Sequence, residues 1–161
     1  MHMISLQTLC REAPGRYVQS YSEMSEAVRK VSAAPKLDVD QLFQRMAFNA
    51  ALGNTDDHLK NFWMIHGPSG YRLAPAIDLL PDVGESHEHV LAFEYERIAP
   101  SRAELRAVAR RWNVADAETR IDDVLKAVGA FRKSARANQV PPDNIDEFVR
   151  DIALRRAKMT A

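Results

Sequence analysis

The chain is poor in the features that staple a fold, cross a membrane or coat a polyanion. It has one cysteine, Cys10, in 161 residues, so no internal disulfide can form and nothing points to an oxidising compartment. Its longest unbroken apolar runs are four residues, as in Phe62 to Ile65, far short of the ~20 that span a bilayer. No membrane association is expected. It has no excess of either charge: 22 basic and 22 acidic side chains cancel, with 8 of each in residues 1–80 and 14 of each in 81–161. A polyanion-coating protein carries a strong basic excess, so no direct nucleic-acid binding is expected without a local patch. No basic stretch followed by an apolar one opens the sequence, which is the pattern of a cytoplasmic protein. Met1-His2-Met3 is set aside from fold reasoning as a possible cloning remnant. The length is one domain's worth, enough to bury about two-thirds of the unfolded chain's surface without a metal or disulfide.

The pattern that remains is mainly helical. Val39, Leu42, Phe43, Met46 and Ala50 recur at helical spacing and predict a helix over about 39–52, capped by Asp38 and ended by Gly53. A shorter helix is expected from Ser22 to Ala34, stopping before Pro35. The period then changes. Phe62-Trp63-Met64-Ile65, the turn cluster His66 to Gly70, and Tyr71-Arg72-Leu73 predict a small β-hairpin. Residues 75–100 carry three of the eight prolines and read as irregular and locally acidic. Three helices follow. The first has a Ser101/Glu104 capping box over Leu105, Val108, Ala109 and Trp112. The second is capped by Asp116 over Ile121, Val124, Leu125 and Val128, and the third starts at Pro141-Pro142-Asp143 with Ile145, Phe148, Val149 and Ile152 inward.

The chemistry-bearing residues gather at one place. Gly53-Asn54-Thr55-Asp56-Asp57-His58-Leu59-Lys60-Asn61 lies between the helix end and the hairpin, and Pro75-Ala76-Ile77-Asp78 follows the hairpin. Two strands joined by a tight turn return the chain beside its start, so Asp78 is expected near Asn61 and Asp56. Phosphoryl transfer needs a carboxylate to accept the proton of an attacking hydroxyl and oxygen ligands for Mg²⁺. Asp56 and Asn61 stand at the Asp-x4-Asn spacing of a protein-kinase catalytic loop, and a second aspartate follows a short hairpin, where kinases hold metal.

The run G-N-T-D-D-H-L-K-N-F, followed by Y-R-L-A-P-A-I-D-L-L-P, resembles the catalytic core of the HipA-like serine/threonine kinase toxins. The resemblance extends upstream through Gln19-Ser20-Tyr21 and L-F-Q-R-M-A-F-N, and weakly through the C-terminal helices. It implies a kinase-like C-lobe helical bundle with one small β-hairpin following the catalytic loop, spanning residues 1–161 as a single domain. It implies ATP with Mg²⁺, and phosphorylation of a serine on a protein substrate of aminoacyl-tRNA synthetase type. It also implies restraint by a HipB-like DNA-binding antitoxin. Residue by residue, Asp56 matches the catalytic base, and Asn61 and Asp78 match ligands of the metal and so of the nucleotide. His58 and Lys60 lie within the matching loop. D-x-H-x-x-N is similar, too, to the catalytic loop of phosphoinositide-type kinases.

The sequence departs from a kinase pattern in three ways. Asn54-Thr55 rather than His-Arg precede Asp56, and Asp78 sits in A-I-D-L without the Phe and Gly of a DFG motif. Neither a glycine-rich phosphate loop nor a V-A-I-K-like strand lysine stands among the residues before Asp56, although the six glycines include Gly15 and Gly53. The expectation is therefore a C-lobe without its nucleotide-gripping N-lobe, with weak or no activity on its own. Two rivals stay open: a metal-dependent phosphohydrolase using Asp56, Asp57, His58 and Asp78, and a non-catalytic partner-binding module. Asp57 is expected to face solvent. His58 either orients the loop or stabilises phosphate, and Lys60 either contacts phosphate or is a surface lysine. His87-Glu88-His89 near Glu85 has metal-ligand spacing on a strand, with a solvated loop the favoured reading. Arg102, Arg106 and Arg110, with Arg111, read as a solvated helix face before a phosphate site.

Overall fold

The structure is a computed structural model that describes residues 2–10, 20–82, 87–94 and 96–160. Its elements in chain order are β1 (His2–Ser5), α1 (Leu6–Leu9), α2 (Tyr21–Val31), α3 (Pro35–Leu52), β2 (Trp63–Gly67), β3 (Gly70–Leu73), α4 (Arg102–Trp112), α5 (Ala117–Gly129), α6 (Phe131–Ala137) and α7 (Pro142–Thr160). The fold is mainly helical, with one small antiparallel sheet in the order β1-β2-β3. No helix among the described residues is long and apolar enough to cross a membrane.

α3 is the axis of the domain. It packs against α2, α5 and α7, and all five residues of the expected apolar stripe are buried. It begins earlier than its stripe suggested. Pro35 occupies the first turn, where its missing N–H would lack a helical partner anyway. Asp38 is therefore inside the helix and does not cap it. Its buried carboxylate accepts from Arg72 Nε (3.0 Å) and Arg72 Nη2 (2.9 Å) of β3, from Ser32 Oγ (2.5 Å) and from the Leu73 amide (2.9 Å). One carboxylate thus fastens the hairpin to α3. α2 stops at Val31 because Ser32 turns extended and Ala33 N donates to Tyr71 O.

The expected hairpin is present, with Pro68-Ser69 as its two-residue turn and Gly70 at φ 116°, where a side chain is disfavoured. β1 adds a third strand, pairing His2 with His66 and Ser5 with Trp63. His2 and Met3 are structural, so setting them aside was wrong. The extra strand gives the hairpin the partner that a two-stranded ribbon lacks in water.

The C-terminal half contains four helices rather than three, because α6 breaks off from α5 at Ala130. Ser101 and Glu104 form the expected capping box on α4. Asp116 precedes α5, but in the left-handed region (φ 51°) and without a capping hydrogen bond, so that expectation fails. In α7, Ile145 and Ile152 are buried as expected, Phe148 and Val149 are half-buried, and the inward stripe continues with Arg155 and Met159.

Two arginines of the α4 face, Arg102 and Arg106, pair with α5, while Arg110 is exposed. Arg102 bonds Glu118 (2.7 Å) and Asp122 (2.8 Å), and Arg106 bonds Glu118 (2.5 Å). Arg111 pairs with Glu94. Arg106 and then Arg102 hold the Glu118 carboxyl down to about 2. At Asp38, burial pushes the carboxyl up, but the Arg72, Ser32 and Leu73 donors outweigh it and hold the group below its ordinary value. Both groups are stabilising when ionised. Their contribution is present above the unfolded carboxylate range near pH ~4 and is lost as pH falls through their lower folded values. Urea midpoints are therefore expected to fall as pH drops from about 4.5 to about 2. Glu118→Gln should flatten that acid limb; an unchanged slope would show that the α4–α5 pairs contribute nothing.

Candidate active site

The loop of interest starts where α3 ends. Gly53 takes φ 79°, a left-handed C-cap that lets the chain leave the helix sharply. A Cβ there would lie 2.6 Å from Arg155 Nε and 2.9 Å from Asp151 Oδ2, so α7 presses its Arg155–Asp151 pair against the root of the loop. Leu59–Asn61 then close a single 3-10 turn that feeds β2.

Asp56 emerges from this loop with its side chain 62% exposed, and His58 Nε2 lies 3.0 Å from its Oδ1. That contact is the one an orienting His58 would make. Asn61 Nδ2 donates to the Asp56 carbonyl at 3.0 Å, closing the five-residue turn. The amide nitrogen is thereby engaged, which leaves Asn61 Oδ1 as the atom able to face a cation. Lys60 is exposed on the 3-10 turn.

Asp78 is exposed on the segment after β3, in the left-handed region at φ 55°. Asn54 Nδ2 donates to its carbonyl at 3.2 Å, so Asp78 is tied to a residue two positions before Asp56. Asn61, Asn54, Ala76, Ile77 and Leu79 line one small cavity between the two arms. The hairpin has returned the chain beside its start. Asp56 and Asp78 are both exposed, and the contacts that tie the two arms run through the Asp78 and Asp56 backbone carbonyls.

Asp57 corrects the sequence reading. It is 1% exposed and points into the domain. Its Oδ2 accepts from Tyr21 Oη (2.6 Å) and lies 3.2 Å from His89 Nδ1, and its Oδ1 accepts from the Leu91 amide (3.1 Å). Asn49 Nδ2 donates in turn to Tyr21 Oη (2.8 Å). Burial first, then the Asp57 charge, hold the Tyr21 hydroxyl well above the ordinary tyrosine value, so it stays a donor. An exposed position was expected because D-D-H reads as a polar loop. What it lacked was the knowledge that residues 36 and 34 positions away supply donors.

The two histidines of the irregular segment do not converge. His89 is buried against Asp57 and edge-on to Phe93, while His87 is largely exposed beside Arg155. Glu85 lies outside the described residues. Among the described residues no group of three or more His, Cys, Asp or Glu is placed to hold a metal ion. Sequence reasoning also missed Asn49 and Asn54 as members of the site. Asn49 had left a signal, since it is a polar residue three positions after Met46 on the inward side of α3.

Against known proteins, residues 1–137 match a family model described as the HipA-like C-terminal domain. A 64-residue stretch is 39% identical to the protein named Putative kinase Y4mE from Sinorhizobium fredii, covering 40% of this chain and 15% of that one. The fold is similar to that of a solved Shewanella oneidensis MR-1 toxin–antitoxin complex of HipA, HipB and operator DNA. The TM-score is 0.69 at 16% identity, over 98% of this chain and 42% of the matched one. The chain therefore spans less than half the length of either relative.

The two adjacent aspartates should separate cleanly in stability. Asp57→Ala strips a buried anion from its donors and is expected to cost about 2–4 kcal/mol. Asp56→Ala, at an exposed position, is expected to stay within about 0.5 kcal/mol of the parent. Urea denaturation followed by circular dichroism checks both, and equal losses would refute the assignment of inward and outward roles.

Proposed function

The chain belongs to the HipA-like C-terminal domain family, and from that premise we propose that it is the catalytic lobe of a serine/threonine protein kinase of a toxin–antitoxin system. The substrate is a protein serine, on a target of aminoacyl-tRNA synthetase type by the resemblance of the motif. The partner is a HipB-like DNA-binding antitoxin, a reading supported by the solved complex of the Shewanella relative. The setting is cytoplasmic.

The observation that carries the reading is the tie between the two arms: Asn54 holds the Asp78 carbonyl while Asn61 closes on Asp56. The donor set suits Mg²⁺ and ATP, because a carboxamide oxygen and a carboxylate are the hard ligands that Mg²⁺ takes. Asn61 and Asp78 would hold the ion, which would supply positive charge to offset that of the nucleotide phosphates. Asp56 would accept the proton of the serine hydroxyl as the serine oxygen bonds to the terminal phosphorus of ATP and the bond from that phosphorus to the bridging oxygen breaks, with ADP leaving. His58 keeps the Asp56 carboxylate in place. Lys60, exposed one residue before Asn61, is the side chain we assign to contact phosphate. These residues hold neither a glycine-rich loop nor a strand lysine before Asp56, so weak or no transfer is expected from the chain on its own. The phosphohydrolase reading loses Asp57, whose carboxylate is consumed by buried donors.

Calorimetric titration of Mg-ATP into the chain is expected to give a weak heat that Asp78→Ala abolishes, with little or no phosphoryl transfer. Identical heats from the two proteins would remove Asp78 from the metal role. Robust Asp56-dependent turnover by this polypeptide alone would show the lobe to be sufficient. Where an N-lobe restores transfer, Asp56→Ala should lower it by roughly 10²–10⁴-fold.

A further inference from the structure

Asp57 has no part in the chemistry proposed above, yet its carboxylate is the end point of a hydrogen-bond relay that reaches both arms of the site. With the proposed function as premise, we infer that Asp57, acting through Tyr21, Asn49 and Asn54, is a positioning residue that sets how Asp56, Asn61 and Asp78 stand relative to one another.

Donation starts at Asn54, which gives one proton to the Asp78 arm and begins a one-way run of donors to Asp57. Asn54 Nδ2 donates to the Asp78 carbonyl (3.2 Å) and to Asn49 Oδ1 (3.1 Å). Asn49 Nδ2 donates to Tyr21 Oη (2.8 Å), and Tyr21 Oη donates its only proton to Asp57 Oδ2 (2.6 Å). Asn54 spends both amide protons, one on Asn49 and one on the Asp78 carbonyl, while Asn49 presents its oxygen to Asn54 and its nitrogen to Tyr21, so the order from Asn54 to Asp57 cannot reverse while the last member is an anion. The relay joins α2, α3, the catalytic-type loop and the Asp78 segment. At its end, Asp57 also takes the Leu91 amide and faces His89 Nδ1, which fastens the 87–91 segment to the same carboxylate.

Its effect on Asp56 follows from burial. Asp57 is buried and Asp56 exposed, so these consecutive residues lie on opposite sides of the loop. Anchoring Asp57 inward holds Asp56 outward. The Asn61 turn is built on the Asp56 carbonyl and inherits that orientation. The positive φ of Asp78 is sparsely populated for a non-glycine residue and persists where its surroundings determine it. The Asn54 bond to its carbonyl is one such determinant.

Tyr21→Phe tests this with one atom. The ring remains, still edge-on to Phe62 and stacked on Phe93, so the core is kept. In amide NMR spectra of the chain, Tyr21→Phe is expected to move the resonances of Asp56, Asn61 and Asp78. It should also speed exchange of the hydrogen-bonded Asn61 and Phe62 amides by about tenfold, while α4 and α5 stay unchanged. Asp57→Asn, which keeps the shape and removes the charge, should give the same pattern. Perturbations confined to Tyr21, Asn49 and Leu91, with Asp56, Asn61 and Asp78 unmoved, would overturn the inference and leave Asp57 a purely structural carboxylate. Mg-ATP titrations in the same spectra separate the two readings. If Mg-ATP produces no Asp78-dependent shift in the parent chain, the metal role fails. The Tyr21→Phe result then still decides whether the relay positions the loop.

Discussion

A carboxylate buried at Asp57 is the constraint around which the site is arranged. An ionised group out of contact with water is costly unless donors surround it. In this fold those donors come from distant parts of the chain: a tyrosine at the start of α2, a backbone amide at Leu91 and an imidazole at His89. Meeting that demand brings the irregular 87–94 segment and the N-terminus of α2 onto the loop after α3. Asp57 is therefore held by the fold itself, while its neighbour Asp56, the residue proposed to take the proton, stays exposed.

The same logic recurs at lower stakes. Asp38, buried in the first turn of α3, gathers Arg72, Ser32 and the Leu73 amide and so docks the hairpin that carries the chain from Asn61 to Asp78. Asp151 and Arg155 pair beneath Gly53, and Arg155 reaches His87. Glu118 gathers two arginines of α4. The outward face of the loop is left to Asp56, His58 and Lys60.

Much of this was legible beforehand. α3, α4, α5 and α7 follow from apolar periodicity and α2 from its stop before Pro35, although of the expected N-caps those at Asp38 and Asp116 do not form, and the hairpin follows from the change of period and its turn cluster. The loop was legible as a cluster because polar, chemistry-bearing side chains concentrate between a helix end and a strand start, with the Asp-x4-Asn spacing of a kinase catalytic loop. Strand β1 was not legible, because four residues carry little pattern and pairing across about 60 positions leaves no local mark. The break at Ala130 was not legible either, since α5 and α6 share one helical period across it.

The sequence by itself determined that the domain is mainly helical, that a short hairpin follows the loop, and that Asp56, Asn61 and Asp78 form an ordered set, because periodicity, turn chemistry and spacing are local quantities. Only the tertiary structure decided which of two adjacent aspartates turns inward. That choice depends on where Tyr21, His89 and Leu91 end up in space, and burial of a charge is settled by the donors that reach it rather than by the residues beside it.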